Sequence, residues 1–202
     1  MGIGGTLYQA AVTAITLALQ DLVTPAGVRV IAIDGRSGAG KSTLAAQLAR
    51  HLGSTVVEGD DFYSGEAIDR WLEMTPSQRA DHCIDWRRQR PVLEALRHGR
   101  PAQYHAYDWE AFDGSLSSLP TTLEPTPTVI LEGAYSARPE LSDLIDLRVL
   151  LDTDPQRRRA QLLDREGDEY RDDWELVWSS AEEHYFGAVM PPDAFDLVAR
   201  PD

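Results

Sequence analysis

The 202-residue chain is short of several things, and each shortage excludes something. It has one cysteine, Cys83. A single cysteine closes no internal disulfide and builds no cysteine-based metal site, and it suits a reducing compartment, the cytoplasm. Positive charge is scarce: 19 Lys and Arg stand against 33 Asp and Glu, a net charge of −14. A nucleic acid would be repelled over most of such a surface, so no nucleic-acid partner is expected. No apolar run reaches the length of about 18 residues that a membrane span needs. Leu7–Val23 is apolar-rich but carries Gln9, Gln20 and Asp21 and has no basic leader, so it reads as an amphipathic helix rather than a secretion signal. The histidines His82, His98, His105 and His184 have no metal-ligand spacing and read as structural or exposed. Internal repeats and low-complexity tracts are missing too.

Lysine is the most informative shortage. Lys41 is the only one, and every other basic residue in the count above is an arginine. A compact ammonium on a flexible stem fits between phosphate oxygens in a way that a planar guanidinium does not. The surrounding stretch, Val28–Leu52, reads VRVIAIDGRSGAGKSTLAAQLARHL. A β-branched run (Val28, Val30, Ile31, Ile33) meets a glycine turn, and an Ala/Leu run suited to a helix follows. This is G-x-x-x-x-G-K-S with strand before and helix after. A chance match in a chain of this length is roughly a one-per-cent event. Backbone N–H groups in such a turn converge on an anion, and the helix N-terminus adds its positive end. The expected phosphate-binding set is Gly35, Ser37, Gly38, Ala39, Gly40, Lys41, Ser42 and Thr43. Lys41 reaches the β- and γ-phosphates of a nucleotide such as ATP, and the Ser42 hydroxyl is placed to ligate Mg²⁺.

The rest of the chain alternates. Helices are expected at Thr6–Val23 (apolar stripe Leu7, Ala10, Ala11, Ala14, Leu17, Ala18), at Lys41–His51, at Asp85–His98 with a break or start at Pro91, at Asp154–Asp164 and at Asp172–Met190. Short helical pieces are expected at Ala67–Glu73 and Pro76–Asp81. Strands are expected at Val28–Asp34, Thr55–Glu58, Val129–Leu131, Leu147–Asp152 and Ala194–Ala199. A weakly alternating piece, Ala102–Trp109, suits a small hairpin, and Asp113–Pro127 reads as loop. The fold class expected is α/β: a three-layer P-loop NTPase fold, a mostly parallel five-stranded sheet flanked by helices, with a helical lid. One domain, 1–202, is expected, with an acceptor-binding insertion at about 64–127 and a lid at about 157–172. Core packing is expected for Trp174, Trp178, Tyr185 and Phe186.

In such sheets ligands sit at the carboxyl ends of the strands. The polar residues there are the P-loop, Asp60-Asp61 and Glu132, which suggests a base and a metal ligand around one phosphate site. Asp60 suits proton abstraction from a substrate hydroxyl. Asp61 reads more simply as a loop hydrogen-bonding residue. The arginines Arg157, Arg158, Arg159, Arg165 and Arg171 are either an exposed helix face or a lid that brings cations to a moving phosphoryl group. Arg159 and Arg165 are the favoured pair for catalysis.

IDGRSGAGKST, GDDFY, VILEGAY, a D-x-x-x-R-R helix and a terminal apolar strand, in that order, resemble the uridine kinase and phosphoribulokinase group of P-loop kinases. The resemblance implies an ATP- and Mg²⁺-dependent kinase acting on a small-molecule alcohol. It implies Asp60 as the catalytic aspartate and Glu132 as the acid that helps to hold Mg²⁺. It also implies an acceptor site from Tyr63, Asp85, Tyr107, Trp109 and Phe112. Phe112 stands where uridine kinases usually carry a histidine that helps to read the pyrimidine, and Leu163 where an arginine is common. The best single acceptor is the 5′-hydroxyl of a nucleoside. The alternatives are a non-nucleoside alcohol (vitamin precursor, sugar or antibiotic) and a non-catalytic nucleotide-binding module. A GTPase would need an N-K-x-D guanine reader, and the sole lysine is already used. The sequence allows a homo-oligomer without requiring one.

Overall fold

The apolar run ahead of the glycine turn forms β1, Arg29–Asp34, buried from its second residue onward. A computed structural model describes residues 8–22, 27–166 and 173–201 of the chain. β1 is the central strand of a five-stranded sheet. It lies between β5 (Thr128–Glu132) and β6 (Leu147–Leu151), with β2 (Thr55–Glu58) beyond β5 and β7 (Leu197–Ala199) beyond β6. All four pairings are parallel. The strands are apolar on both faces, which is why they read as continuous runs. Ile31, Ile33, Ile130, Val149 and Leu151 belong to the core under α1 (Gln9–Gln20) and α2 (Lys41–Leu52). Val30, Ala32, Val129, Leu131 and Leu150 belong to the core on the other side, with α5 (Trp86–Arg97) and α7 (Asp173–His184). Each such side chain, once buried, contributes about 1.5–3 kcal/mol, so the two cores fix the order of the layers.

Outside the sheet, α3 (Ile68–Glu73), α4 (Pro76–His82) and the hairpin of β3 (Ala102–Tyr104) with β4 (Thr121–Leu123) surround the segment that follows β2. α4 opens on a capping box between Thr75 and Gln78. α6 (Pro155–Glu166) follows β6. A bidentate pair joins Arg97 to Asp146 at 2.6 and 3.0 Å, and Asp146 also accepts from the Val30 N–H at 2.8 Å. This fastens the far end of α5 to the sheet.

The structure corrects several expectations. The buried stripe of α1 is Ala11, Val12, Ile15 and Leu19, while Ala10 is exposed and Leu17 is 57% exposed. The larger Val12 and Ile15 bury more surface than the alanines chosen from the sequence. Leu7 lies outside the described residues. Pro91 neither breaks nor starts α5, which runs unbroken through it. Pro91 and Arg87, whose carbonyl loses its helical donor, are both exposed, so the lost bond lies on the solvent side of the helix. Asp113–Pro127 is not all loop, because it contains β4. The last helix ends at His184 and passes into a π-helical stretch, Tyr185–Val189. Trp178, Tyr185 and Phe186 pack in the core as expected, while the Trp174 side chain and residues 167–172 of the expected lid lie outside the described set.

Candidate phosphoryl-transfer site

The site grows from the carboxyl ends of β1, β2 and β5. Gly40, in the left-handed conformation with φ 93°, caps α2, so the helix begins at Lys41. Lys41 Nζ donates to the Arg36 carbonyl at 3.2 Å, across the mouth of the loop. The Thr153 hydroxyl donates to the Ala39 carbonyl at 2.8 Å from beneath. Helix α6 lies directly on the turn. A Cβ on Gly38 would stand 2.6 Å from the Arg158 carbonyl and 2.8 Å from the Leu162 side chain. Only glycine permits that approach, and its φ of +72° also favours it. Arg158 then donates to the Ser37 carbonyl at 3.2 Å. Arg158 is half-buried against the loop, and Arg159 and Arg165 are exposed further along the same helix.

A second close approach joins the acidic strand ends. A Cβ on Gly59 would lie 2.6 Å from the Glu132 carbonyl and 3.2 Å from Gly133 Cα. These two backbones touch, so Asp60 and Glu132 become neighbours although 72 residues separate them in the chain. Asp60 is exposed at the start of a 3-10 turn, Gly59–Phe62. Glu132 is 6% exposed. Burial pushes its carboxyl up to about 7; the Lys41 charge and the Ser42 hydroxyl pull it down, and the Asp60 charge adds to the rise. The Ser42 hydroxyl therefore stands close enough to the Glu132 carboxyl to favour its charged form. A hydroxyl and a carboxylate side by side suit Mg²⁺, which takes few protein oxygens and keeps several waters and phosphate oxygens. Among the described residues no group of three His, Cys, Asp or Glu forms a metal cage.

Asp61 turns the other way. Its carboxylate accepts from the Tyr104 hydroxyl at 2.7 Å, and its carbonyl accepts from the Tyr107 N–H at 2.7 Å. It anchors the hairpin to the turn, in keeping with its structural reading. Asp85 is half-buried and caps α5, accepting from the Arg87 N–H at 3.1 Å. The Asp85 N–H donates to the Phe62 carbonyl at 2.8 Å, which sets this carboxylate beside the Asp60 turn.

The aromatic candidates form one wall. Tyr63 stacks on Trp109 at 5.2 Å between ring centroids and meets Tyr107 edge-on at 5.0 Å. Phe112 lies 6.1 Å from Trp109. Tyr63 and Tyr107 are buried, while Trp109 and Phe112 are half exposed. Two tryptophans complete the wall: Trp71 of α3, missed in the sequence, 6.1 Å from Tyr63, and Trp178 of α7, expected only as a core residue, 5.8 Å from Tyr63. No spacing rule links them to Tyr63, because they come from separate helices.

Asp34 was missed as well. It is fully buried at the end of β1. Its two oxygens accept from the N–H groups of Gly35 (2.7 Å), Tyr135 (3.0 Å) and Ala137 (2.9 Å) and from the Tyr185 hydroxyl (2.9 Å). Burial lifts this carboxyl to about 6, and its donors oppose the rise. The phosphate loop, the segment after Glu132 and the π-helical stretch are thus gathered on one carboxylate. Tyr135 is held there at φ 65°, a strained conformation for a non-glycine residue. The available signal was an aspartate closing an otherwise apolar strand, directly before the loop.

A glycine turn that delivers main-chain amides to a helix N-terminus, with acids at the ends of adjacent parallel strands, is how P-loop phosphotransferases are built, and this fold is of that class. The chain belongs to the Phosphoribulokinase / Uridine kinase family, whose model matches residues 30–185. It is 28% identical over 141 residues to a uridine kinase of Halobacterium salinarum, a match covering 67% of this chain and 61% of that one. To a uridine kinase of Lactobacillus helveticus it is 27% identical over 170 residues, covering 80% and 77%. Among solved structures, a chain described as a possible uridine kinase from Bacillus stearothermophilus superposes with a TM-score of 0.68 at 20% identity, covering 94% of this chain and 97% of that one. A D-glycerate 3-kinase from Cryptococcus neoformans gives a TM-score of 0.63 at 13% identity, covering 98% and 96%. At these identities the superpositions speak for the fold. No helix among the described residues is long and apolar enough to cross a membrane.

Proposed function

We propose that this protein is a Mg²⁺·ATP-dependent kinase that transfers the γ-phosphoryl group to a hydroxyl of a small molecule, with a nucleoside 5′-hydroxyl as the best acceptor. The observation that carries the reading is the Gly59–Gly133 contact, which sets the exposed Asp60 beside the buried Glu132. In this reading the loop Gly35–Thr43 holds the phosphates through the Lys41 side chain and the amides of Gly38, Gly40, Lys41, Ser42 and Thr43, because those of Gly35, Ser37 and Ala39 already donate to Asp34, Glu182 and the Arg36 carbonyl. Ser42 and Glu132 take the metal, which neutralises charge on the transferring group when bound. Asp60 accepts the proton of the attacking hydroxyl. Arg158, with Arg159 and Arg165 nearby on α6, supplies cations above the loop, and residues 157–172 serve as the lid. Tyr63, Tyr107 and Trp109 offer ring faces to a planar base, and Asp85 faces a ribose hydroxyl. The whole chain acts as one kinase domain, with about 64–127 as the acceptor-binding insertion.

One residue favours a second acceptor class. Phe112 offers no hydrogen bond to a pyrimidine edge, which would suit a sugar or hydroxy-acid acceptor. Purified protein with Mg²⁺ and ATP, assayed for ADP against uridine, cytidine, purine nucleosides, glycerate and hexoses, tests both. ADP formed with a nucleoside supports the first reading. ADP formed only with a sugar or glycerate replaces it with the second, and none with any acceptor refutes both.

A further inference from the structure

Helix α7 and the π-helical stretch that continues it meet the phosphate loop and the end of β1 just before it at two points three residues apart. The Ser37 N–H donates to Glu182 Oε1 at 2.6 Å, and the Tyr185 hydroxyl donates to Asp34 at 2.9 Å. Glu182 is 5% exposed, a buried carboxylate with no part in the chemistry described above. From the opposite side Arg158 holds the Ser37 carbonyl at 3.2 Å, within the electrostatic reach of Glu182 and Arg36. The two peptide planes that flank Ser37 Cα are therefore each held by a charged side chain. One turn earlier on α7, Trp178 packs edge-on against Tyr63 and against Trp71.

A bare carboxylate is a poor neighbour for an anion-binding loop, because its charge repels a phosphate. Here Arg158 lies within electrostatic reach and offsets part of that charge, and what the side chain supplies is the hydrogen bond to the Ser37 N–H. We propose that Glu182 is a positioning residue for the donor nucleotide. By holding the Ser37 N–H it orients the peptide planes at the lip of the phosphate loop, including the Ser37 carbonyl on which Arg158 sits. The inference rests on the reading of ATP as donor. It adds a residue from the C-terminal helix, 145 positions away from the loop, to the parts that set donor affinity.

The length of the side chain, rather than its charge, is what the proposal requires. Glu182→Asp keeps the charge and withdraws the oxygen by one methylene. Glu182→Gln drops the charge and keeps an acceptor oxygen at the same reach. Binding of a fluorescent ATP analogue with Mg²⁺ to the full chain is titrated for wild type and both variants, beside their thermal melts. Glu182→Asp is expected to weaken binding about tenfold and Glu182→Gln to stay within about threefold of wild type. Equal weakening in both variants, or no weakening in Glu182→Asp, overturns the proposal. A wild type that binds no analogue overturns the donor reading itself, and the proposal with it.

Discussion

Replacing Glu132 with glutamine separates a carboxylate kept for function from one kept for stability. Glu132 is buried, and burial raises its carboxyl from the ordinary 4.5 to about 7, with Lys41 and Ser42 opposing and Asp60 assisting. The folded chain therefore holds this proton more tightly than the unfolded chain does. Between about pH 4.5 and 7 the unfolded state loses the proton first, so folding stability falls as pH rises through that window and is level above it. A rise of about 2.5 units corresponds to roughly 3 kcal/mol. Glutamine is neutral throughout and keeps an acceptor oxygen of the same reach. Without Mg²⁺ or nucleotide, Glu132→Gln should be more stable than wild type by up to ~3 kcal/mol at pH 8, some ~6–12 °C in Tm. At pH 5 the gain should shrink below ~1 kcal/mol. Urea unfolding of both proteins at the two pH values measures it. Asp34 also titrates near 6, but it is common to both proteins and cancels in the difference. The same variant should lose Mg²⁺-dependent ATP binding and turnover. A Glu132→Gln protein no more stable than wild type at pH 8, or with the same difference at both pH values, would refute the reasoning.

Asp60 is exposed, so Asp60→Asn should leave the melting temperature nearly unchanged while lowering kcat by about 10²–10⁴, with ATP affinity retained. A steady-state assay beside an ATP titration checks the split, and equal loss in both would remove Asp60 from the role of base. Gly59→Ala puts a Cβ 2.6 Å from the Glu132 carbonyl, against backbone that cannot swing aside. It should cost about 1–3 kcal/mol in denaturant unfolding and reduce kcat, because the two acids are forced apart. Unchanged turnover in a destabilised Gly59→Ala protein would show that their spacing is not critical.

The elements visible in the sequence are those written locally. β1, the glycine turn and α2 follow from a β-branched run, a motif and an Ala/Leu run. β2 and its acidic end, and β5 with Glu132, follow from short apolar runs that stop at a charge. Pro91 misled because an exposed helix face tolerates a proline where the lost backbone bond lies on the solvent side. Leu17 misled because alanine and leucine mark a stripe less sharply than Val12 and Ile15, which in fact face the core.

By itself, then, the sequence determined the class of fold, the phosphate loop with its single lysine, and the acids set at strand ends. Local propensity, short-range periodicity and a motif within a few residues are enough for those. Only the tertiary structure decided which side chains reach that loop from a distance. Asp34 is joined to Tyr135, Ala137 and Tyr185 across 101 to 151 positions, Ser37 to Glu182 across 145, and Arg158 to Ser37 across 121. Such contacts depend on the order of the strands and on how helices settle over a twisted parallel sheet. Packing of whole layers selects that order, and no short window of residues encodes it.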